Sequence, residues 1–481
     1  MRGLIRFSGY LPHWRLNRSE ISGTFGSGGG KGTRSVASHD EDTTTMAVEA
    51  MRNLLRVASP AVGSIGSLWF ATSTPSYLDK TNAAAIHAAL GLNRSCNAVD
   101  FGGSLRSGTG ALLAALRSVG SPGGDSSEPS LIALAMADLR DGLPTSPDES
   151  SGGDSAAGFL IGDDSPALPV LAEFIGSASL TEEFLDRWRL AGERRSRVWE
   201  ERFGETRYLE LGKQAWESGL DALSLSAGQV SKVAVTGMHA RACNGLARKL
   251  GVEPESIADD LSSSVGLSGT SHPGLLLASM LEVASPGDVV ALVHLADGAD
   301  VLFFRMTDAC GSWSPARSVK SQAESGSPLS YGKFLSWRNM VNLEPPRRPE
   351  PARASSSAAW RSNDWKYGFT GSQDIATGTV HLPPARVSMV GGAFDQMEPV
   401  ERSDSQGSIA TFTIDRMAYS PSPPTIFAVV DFDGGGRFPV ELTDCSPDQV
   451  AIGSRVEMTF RRLYSADGIH NYFWKGRLVT A

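Results

Sequence analysis

The chain has 481 residues, more than one hydrophobic core usually organises, so more than one domain is expected. With 41% hydrophobic and 20% charged residues it has a globular composition, and a formal net charge of −9 argues against broad nucleic-acid binding, which needs clustered Lys and Arg. Four cysteines (Cys96, Cys243, Cys310, Cys445) lack C-x-x-C spacing, which excludes a cysteine zinc site or a disulfide framework and makes a reducing cytoplasm the expected location.

No signal peptide is expected, because Arg6 interrupts the only early apolar stretch, and no apolar run approaches the ~20 residues that a membrane span needs. Residues 3–7 read as a first strand, closed by Ser8 and Gly9. The run GSGGGKG at 26–32 is not a phosphate loop. Gly32 stands where Ser or Thr would bind magnesium, and Phe25 where the first glycine belongs, so a mobile loop is expected. A helix starts near Asp42, with Ala47, Ala50, Met51, Leu54 and Leu55 on one apolar stripe.

From there the chain repeats itself at an offset of roughly 160 residues. The first copy is a strand at 68–73, a helix ending at Gly91, a Gly-rich turn into a helix around 109–116, and two apolar strands at 131–137 and 157–161. The second is a strand at 232–237, a helix ending at Gly251, a turn into a helix around 274–281, and strands at 289–295 and 300–304. The continuous apolar runs fit sheets covered on both faces, with the Ala-, Leu- and Gly-rich helices between them. The fold class is therefore α/β, a duplicated thiolase-like arrangement. Between the copies, 181–228 reads as a helical cap or dimer-facing insertion.

The Pro-, Arg- and Ser-rich stretch 344–359 cannot form a core, so the chain divides into a thiolase-like domain over 1–340, a linker over 341–364, and a second domain over 365–481. In the second domain, segments 409–415, 425–433, 437–442, 455–463 and 472–478 alternate apolar and polar residues, with 433–436 as a hairpin turn. Five short strands fit a small OB-like barrel.

Asp40-Glu41-Asp42-Thr43 followed by TMAVEA at 45–50, GDSAA at 153–157 and LEVASPGD at 281–288 resemble hydroxymethylglutaryl-CoA synthases of the archaeal and actinobacterial kind, over most of 1–330. Residues 365–369, Gly371, Ser372 and 378–384 resemble the OB-fold family that accompanies thiolases and carries a rubredoxin-like zinc ribbon. In that family cysteines stand at the positions of Asp374, Thr377, Ser388 and Gly391. None is cysteine here, so the ribbon is expected to be degenerate and metal-free.

The same resemblance assigns the site. The nucleophilic cysteine, placed where a helix N-terminus favours thiolate, falls at Leu105, which cannot form an acyl intermediate. Ser104 beside it is a substitute only if a base is near, and otherwise a turn serine; Arg106 is either an anion contact or a structural charge. The general acid/base glutamate falls at Ser73, with Asp79 read as a loop residue, and the family asparagine at Leu267. His239 is retained at the end of a strand, where an imidazole can polarise a thioester carbonyl; Cys243 and His272 are lesser candidates. The resemblance thus leaves His239 and Ser104 as catalytic candidates and Ser73, Leu105, Arg106 and Leu267 as substrate-binding positions. It implies no metal and no cofactor beyond CoA carried by an acyl-CoA thioester. It also implies a homodimer, a possible thiolase partner, no nucleic acid and no membrane.

Two functions of different class stay open. One is an acyltransferase or C–C lyase that makes or breaks a bond beside a thioester without a cysteine nucleophile. The other is a non-catalytic thiolase-like subunit that scaffolds a partner enzyme.

Overall fold

The computed structural model describes residues 1–56, 63–119 and 131–479. Its residues fall into two compact units. The first comprises 1–37, 50–83 and 93–331, and the second 38–49, 84–92 and 332–481.

In the first unit nine strands form one sheet: β1 (Arg2–Tyr10), β2 (Ile65–Thr72), β3 (Asn97–Gly102), β4 (Leu131–Asp138), β5 (Ser155–Asp163), β6 (Ala172–Thr181), β7 (Lys232–Gly237), β8 (Val289–Leu295) and β9 (Gly298–Met306). Their order is β7-β8-β9-β6-β1-β5-β4-β2-β3. The duplication is written in that order. β2 runs parallel to β4, which pairs antiparallel with β5, and β5 with β1. In the second half β7 runs parallel to β8, which pairs antiparallel with β9, and β9 with β6. The halves meet where β1 pairs with β6 through Gly3 and Leu4. Strand β3 was not foreseen, because its segment reads as part of a Gly-rich turn.

Two helices match the expected inner pair: α1 (Ser107–Ser118) and a later one at His272–Leu281, almost every residue of which is buried. Burial of Ala111, Leu112, Ala115 and Leu116 along α1, roughly 1.5–3 kcal/mol for each large side chain, holds it in place more than propensity does. Gly108 lets α1 come close to the turn at 269–271, since a Cβ there would lie 2.3 Å from the Thr270 carbonyl.

Two expectations change. Between the copies Glu201–Leu223 (α2) is the one α-helix, followed by a single 3-10 turn at Ala227–Gln229, with Tyr208, Leu211, Ala215, Trp216 and Leu220 of α2 buried at helical spacing. Residues 182–200 instead make an irregular segment in which Arg187 and Trp188 pair with Val198 and Arg197. The glycine-rich loop at 26–32 is tied at its base rather than free: the Arg18 amide donates to the Gly32 carbonyl at 3.1 Å, and its guanidinium to the Ser262 carbonyl.

The second unit contains a closed five-stranded barrel of β10 (Gln406–Asp415), β11 (Thr425–Phe432), β12 (Arg437–Thr443), β13 (Arg455–Ala466) and β14 (Ile469–Leu478), in the order β10-β11-β12-β14-β13. Alternating residues Ile426, Ala428, Val430 and Phe432 point inward, the period-two pattern of a half-buried strand. Three short strands, Thr370–Asp374, Val380–His381 and Met397–Glu401, precede the barrel. Among the described residues no helix is long and apolar enough to cross a membrane.

Candidate functional site

The C-terminal end of β4 organises the region to which the resemblance points. Asp138 is fully buried and accepts five hydrogen bonds. Thr72 Oγ1 (3.0 Å), the Ser73 amide (2.7 Å) and Thr74 Oγ1 (3.0 Å) reach Oδ1; Ser73 Oγ (2.7 Å) and the Thr270 amide (2.7 Å) reach Oδ2. One carboxylate thus joins the end of β2 to the turn before the second inner helix. Gly269 in that turn has φ +62, and a Cβ there would fall 2.5 Å from Asp138 Oδ2, 3.1 Å from Arg140 Cδ and 3.3 Å from Leu105 Cδ2. Ser73, Leu105, Asp138, Arg140 and Gly269 therefore share one neighbourhood.

Ser104 is exposed, and among the described residues its hydroxyl meets only the Ser107 hydroxyl, at 3.5 Å, with no base beside it. Arg106 is an internal strut: its guanidinium grips Asp300 through Nε (2.8 Å) and Nη2 (2.7 Å), and also donates to Thr181 Oγ1 and to the carbonyls of Leu180 and Asp297. That grip holds Asp300 below the usual carboxylate range, against the effect of its burial. Thr109 Oγ1 lies 3.0 Å from Nδ1 of His294, a buried imidazole pushed down to about 4 by desolvation. Leu267 is buried in a backbone bridge to Gly152.

His239 caps α3 (Ala240–Ala247): Nδ1 accepts from the Ala242 amide at 3.2 Å, and Nε2 donates to the Glu201 carbonyl at 2.9 Å. Both ring nitrogens serve the backbone. Its ring lies 6.1 Å from that of Tyr208, whose hydroxyl accepts from the Asp297 amide at 3.4 Å. His239 thus connects to Arg106 through Tyr208 and Asp297 and makes no contact with Ser104. Cys243 is a core thiol, pushed up to about 12 by burial. His272 is buried, donates to the Asp260 carbonyl, faces Ser268 Oγ at 3.3 Å and is pushed down to about 4 by desolvation.

In the second unit, at the positions where the resemblance implies ribbon cysteines, Asp374, Thr377 and Ser388 make hydrogen bonds. Asp374 Oδ1 accepts the amides of Ala376 (2.9 Å) and Thr377 (3.3 Å), and hydrogen bonds from the Ser388 and Thr377 side chains hold its carboxyl down at about 2. One carboxylate, two hydroxyls and a glycine do not fit a thiolate zinc site. Among the described residues no cluster of three or more His, Cys, Asp or Glu could hold a metal.

Sequence reading missed Asp138, Arg140 and Arg189. The available signal was the polar Asp138-Leu139-Arg140 at the carboxyl end of an apolar parallel strand, where α/β sheets place their sites.

A family model described as the ChsH2 C-terminal OB-fold domain matches residues 399–461. The hydroxymethylglutaryl-CoA synthase of Thermococcus sibiricus is 29% identical over 304 residues, covering 62% of this chain and 83% of the relative. That of Methanopyrus kandleri is 28% identical over 357 residues, 71% of this chain and 98% of the relative. A crystal structure of an HMG-CoA synthase complexed with CoA superposes with a TM-score of 0.60 at 17% identity, covering 74% of this chain and 94% of that one. The chain therefore joins a thiolase-type domain, similar to hydroxymethylglutaryl-CoA synthases, to an OB-fold domain.

Proposed function

We propose that the thiolase-type unit binds an acyl-CoA thioester without forming an acyl-enzyme, and that the chain is the non-catalytic member of a thiolase assembly whose OB-fold domain serves as its docking module. The carrying observation is the state of the four family positions. Leu105 stands where a thiolate would attack, Ser73 where a carboxylate would move the proton, and Leu267 where an asparagine would stand. The retained His239 has both nitrogens engaged by backbone groups. Nucleophilic catalysis needs an attacking group within ~2.6–3.2 Å of a base, and among the described residues Ser104 has only another hydroxyl, at 3.5 Å. Affinity for CoA esters is supported by the CoA-bound structure that shares the fold.

The test is to incubate the full chain with acetyl-CoA and acetoacetyl-CoA. Binding would be followed by calorimetry, adducts by intact mass and thioester loss by absorbance. Binding with no adduct and no turnover is the expected result. Turnover that disappears in His239→Ala would instead establish the rival reading, a C–C bond enzyme that uses the imidazole to polarise the thioester carbonyl.

A further inference from the structure

Four arginines close to β4 differ in one respect. Arg34 pairs with Asp154, Arg106 with Asp300 and Arg187 with Asp148. Arg140 is 3% exposed, yet among the described residues its guanidinium has no carboxylate partner. Among those residues the guanidinium makes one hydrogen bond, a long one from Nη1 to Ser73 Oγ at 3.5 Å. The nearest carboxylate, Asp138, has both oxygens occupied by the five donors described above. A second arginine, Arg189, arrives from the irregular segment at 182–200 and donates to the Ser73 carbonyl at 3.1 Å, and among the described residues it too has no carboxylate partner.

Buried cations are ordinarily paired, since an isolated one costs several kcal/mol of desolvation. Burial lowers the proton affinity of Arg140, and Arg187 and Arg189 lower it further, opposed by Asp138 and Asp148. Around the half-buried Ser73, beside Leu105 and Gly269, the two guanidiniums of Arg140 and Arg189 outnumber the one carboxylate, Asp138, whose oxygens are already taken by its five donors. A guanidinium presents paired donors that match a carboxylate or phosphate.

We propose that Arg140 and Arg189, bracketing Ser73, bind a carboxylate on the acyl portion of the thioester, which makes the ligand class a dicarboxylic acyl-CoA. This rests on the acyl-CoA reading above. The anion is assigned to the acyl group because Ser73 and Leu105 occupy the positions of the reacting end, whereas the phosphates of CoA lie at the other end of the pantetheine arm.

The experiment titrates the full chain with propionyl-CoA and succinyl-CoA, alongside Arg140→Met and Arg189→Gln variants. It also records melting midpoints in free succinate and in inorganic phosphate. Succinyl-CoA should bind at least about tenfold tighter than propionyl-CoA, and both variants should erase that preference. Arg140→Met should also raise the melting midpoint without ligand, because it removes an unpaired buried charge. Equal affinity of the parent for the two esters overturns the inference and leaves the acyl-CoA reading standing. Failure to bind any CoA ester removes that reading as well. Protection by phosphate equal to that by succinate, and lost in Arg140→Met, overturns the acyl-carboxylate assignment in favour of a phosphate site. A lowered midpoint in Arg140→Met, with propionyl-CoA binding lost too, makes the arginine structural and overturns the inference.

Discussion

Leu105 precedes α1, whose first amides face the region where a thiolate would gain from the helix dipole. Leu105→Cys should install a thiol that iodoacetamide modifies faster than Cys243 or Cys445, which burial pushes up to about 12. Intact mass with peptide mapping measures this, and an introduced thiol no more reactive than the native ones would contradict the placement of this position at the helix entrance. On the proposed assignment of Ser73 to the proton-moving position, condensation should still not occur in this variant. Arg106 offers the opposite case, a residue whose work is internal. Its removal strands Asp300, which is 2% exposed, so Arg106→Ala should cost about 3 kcal/mol in urea unfolding. A loss below about 0.5 kcal/mol, the level of an exposed pair, would show that the strut is absent in solution.

At the scale of elements, the acidic run at 40–42 is an anchor within the second unit. Asp40 meets Lys475 at 3.0 Å and Glu41 meets Arg461 at 2.6 Å; Arg461 also binds Asp444 at 2.6 Å, and Tyr472 donates to Asp42 at 2.7 Å. Arg461 and Lys475 are buried on adjacent barrel strands β13 and β14. Lys475, held above its ordinary value by Asp40 and Glu441, and Asp40, held far below its own by Lys475 and Arg461, overcome a desolvation that opposes both charges. Breaking such a network leaves buried carboxylates without a cation, so Arg461→Met should destabilise the unit by about 3–5 kcal/mol. Hydrogen exchange of β13 and β14 amides would locate the damage, and unchanged protection there would refute the anchor. The motif that marks the family resemblance is thus accounted for by packing.

Over the whole molecule, stability should fall with acid. His39, His272 and His294 are each pushed down to about 4 by burial, against about 6.5 in the unfolded chain. Between those values the unfolded chain holds more protons, so each histidine's contribution is complete above about 6.5 and is lost as pH falls towards 4, up to about 3 kcal/mol apiece. Glu282, raised to about 7 by burial, acts in the opposite sense, favouring the folded state as pH falls from 7 towards its ordinary 4.5. The three imidazoles, joined by Asp40 and Asp300, whose carboxyls are held low, outweigh Glu282 and the other carboxyls that burial raises, so urea midpoints should drop from pH 6.5 to 4. The double variant His272→Asn, His294→Asn should show a shallower fall, and an unchanged slope would remove these imidazoles as the cause.

The sequence by itself determined the duplicated order of strands and inner helices and the five barrel strands. Hydrophobic periodicity is local, and each copy repeats it. The proposed loss of the attacking group is likewise a reading of sequence alone, since it rests on Leu105 and Ser73 being in register with the motifs that carry the resemblance. Only the tertiary structure decided which charges are satisfied. Ser73, Arg140 and Arg189 lie far apart in the chain, and their convergence follows from β2 and β4 lying side by side with the irregular segment at 182–200 brought against them. Arg106 and Arg140 look alike as letters in a sequence. Among the described residues one found a buried carboxylate across the fold and the other did not, because pairing depends on which distant chain segments share a dielectric interior.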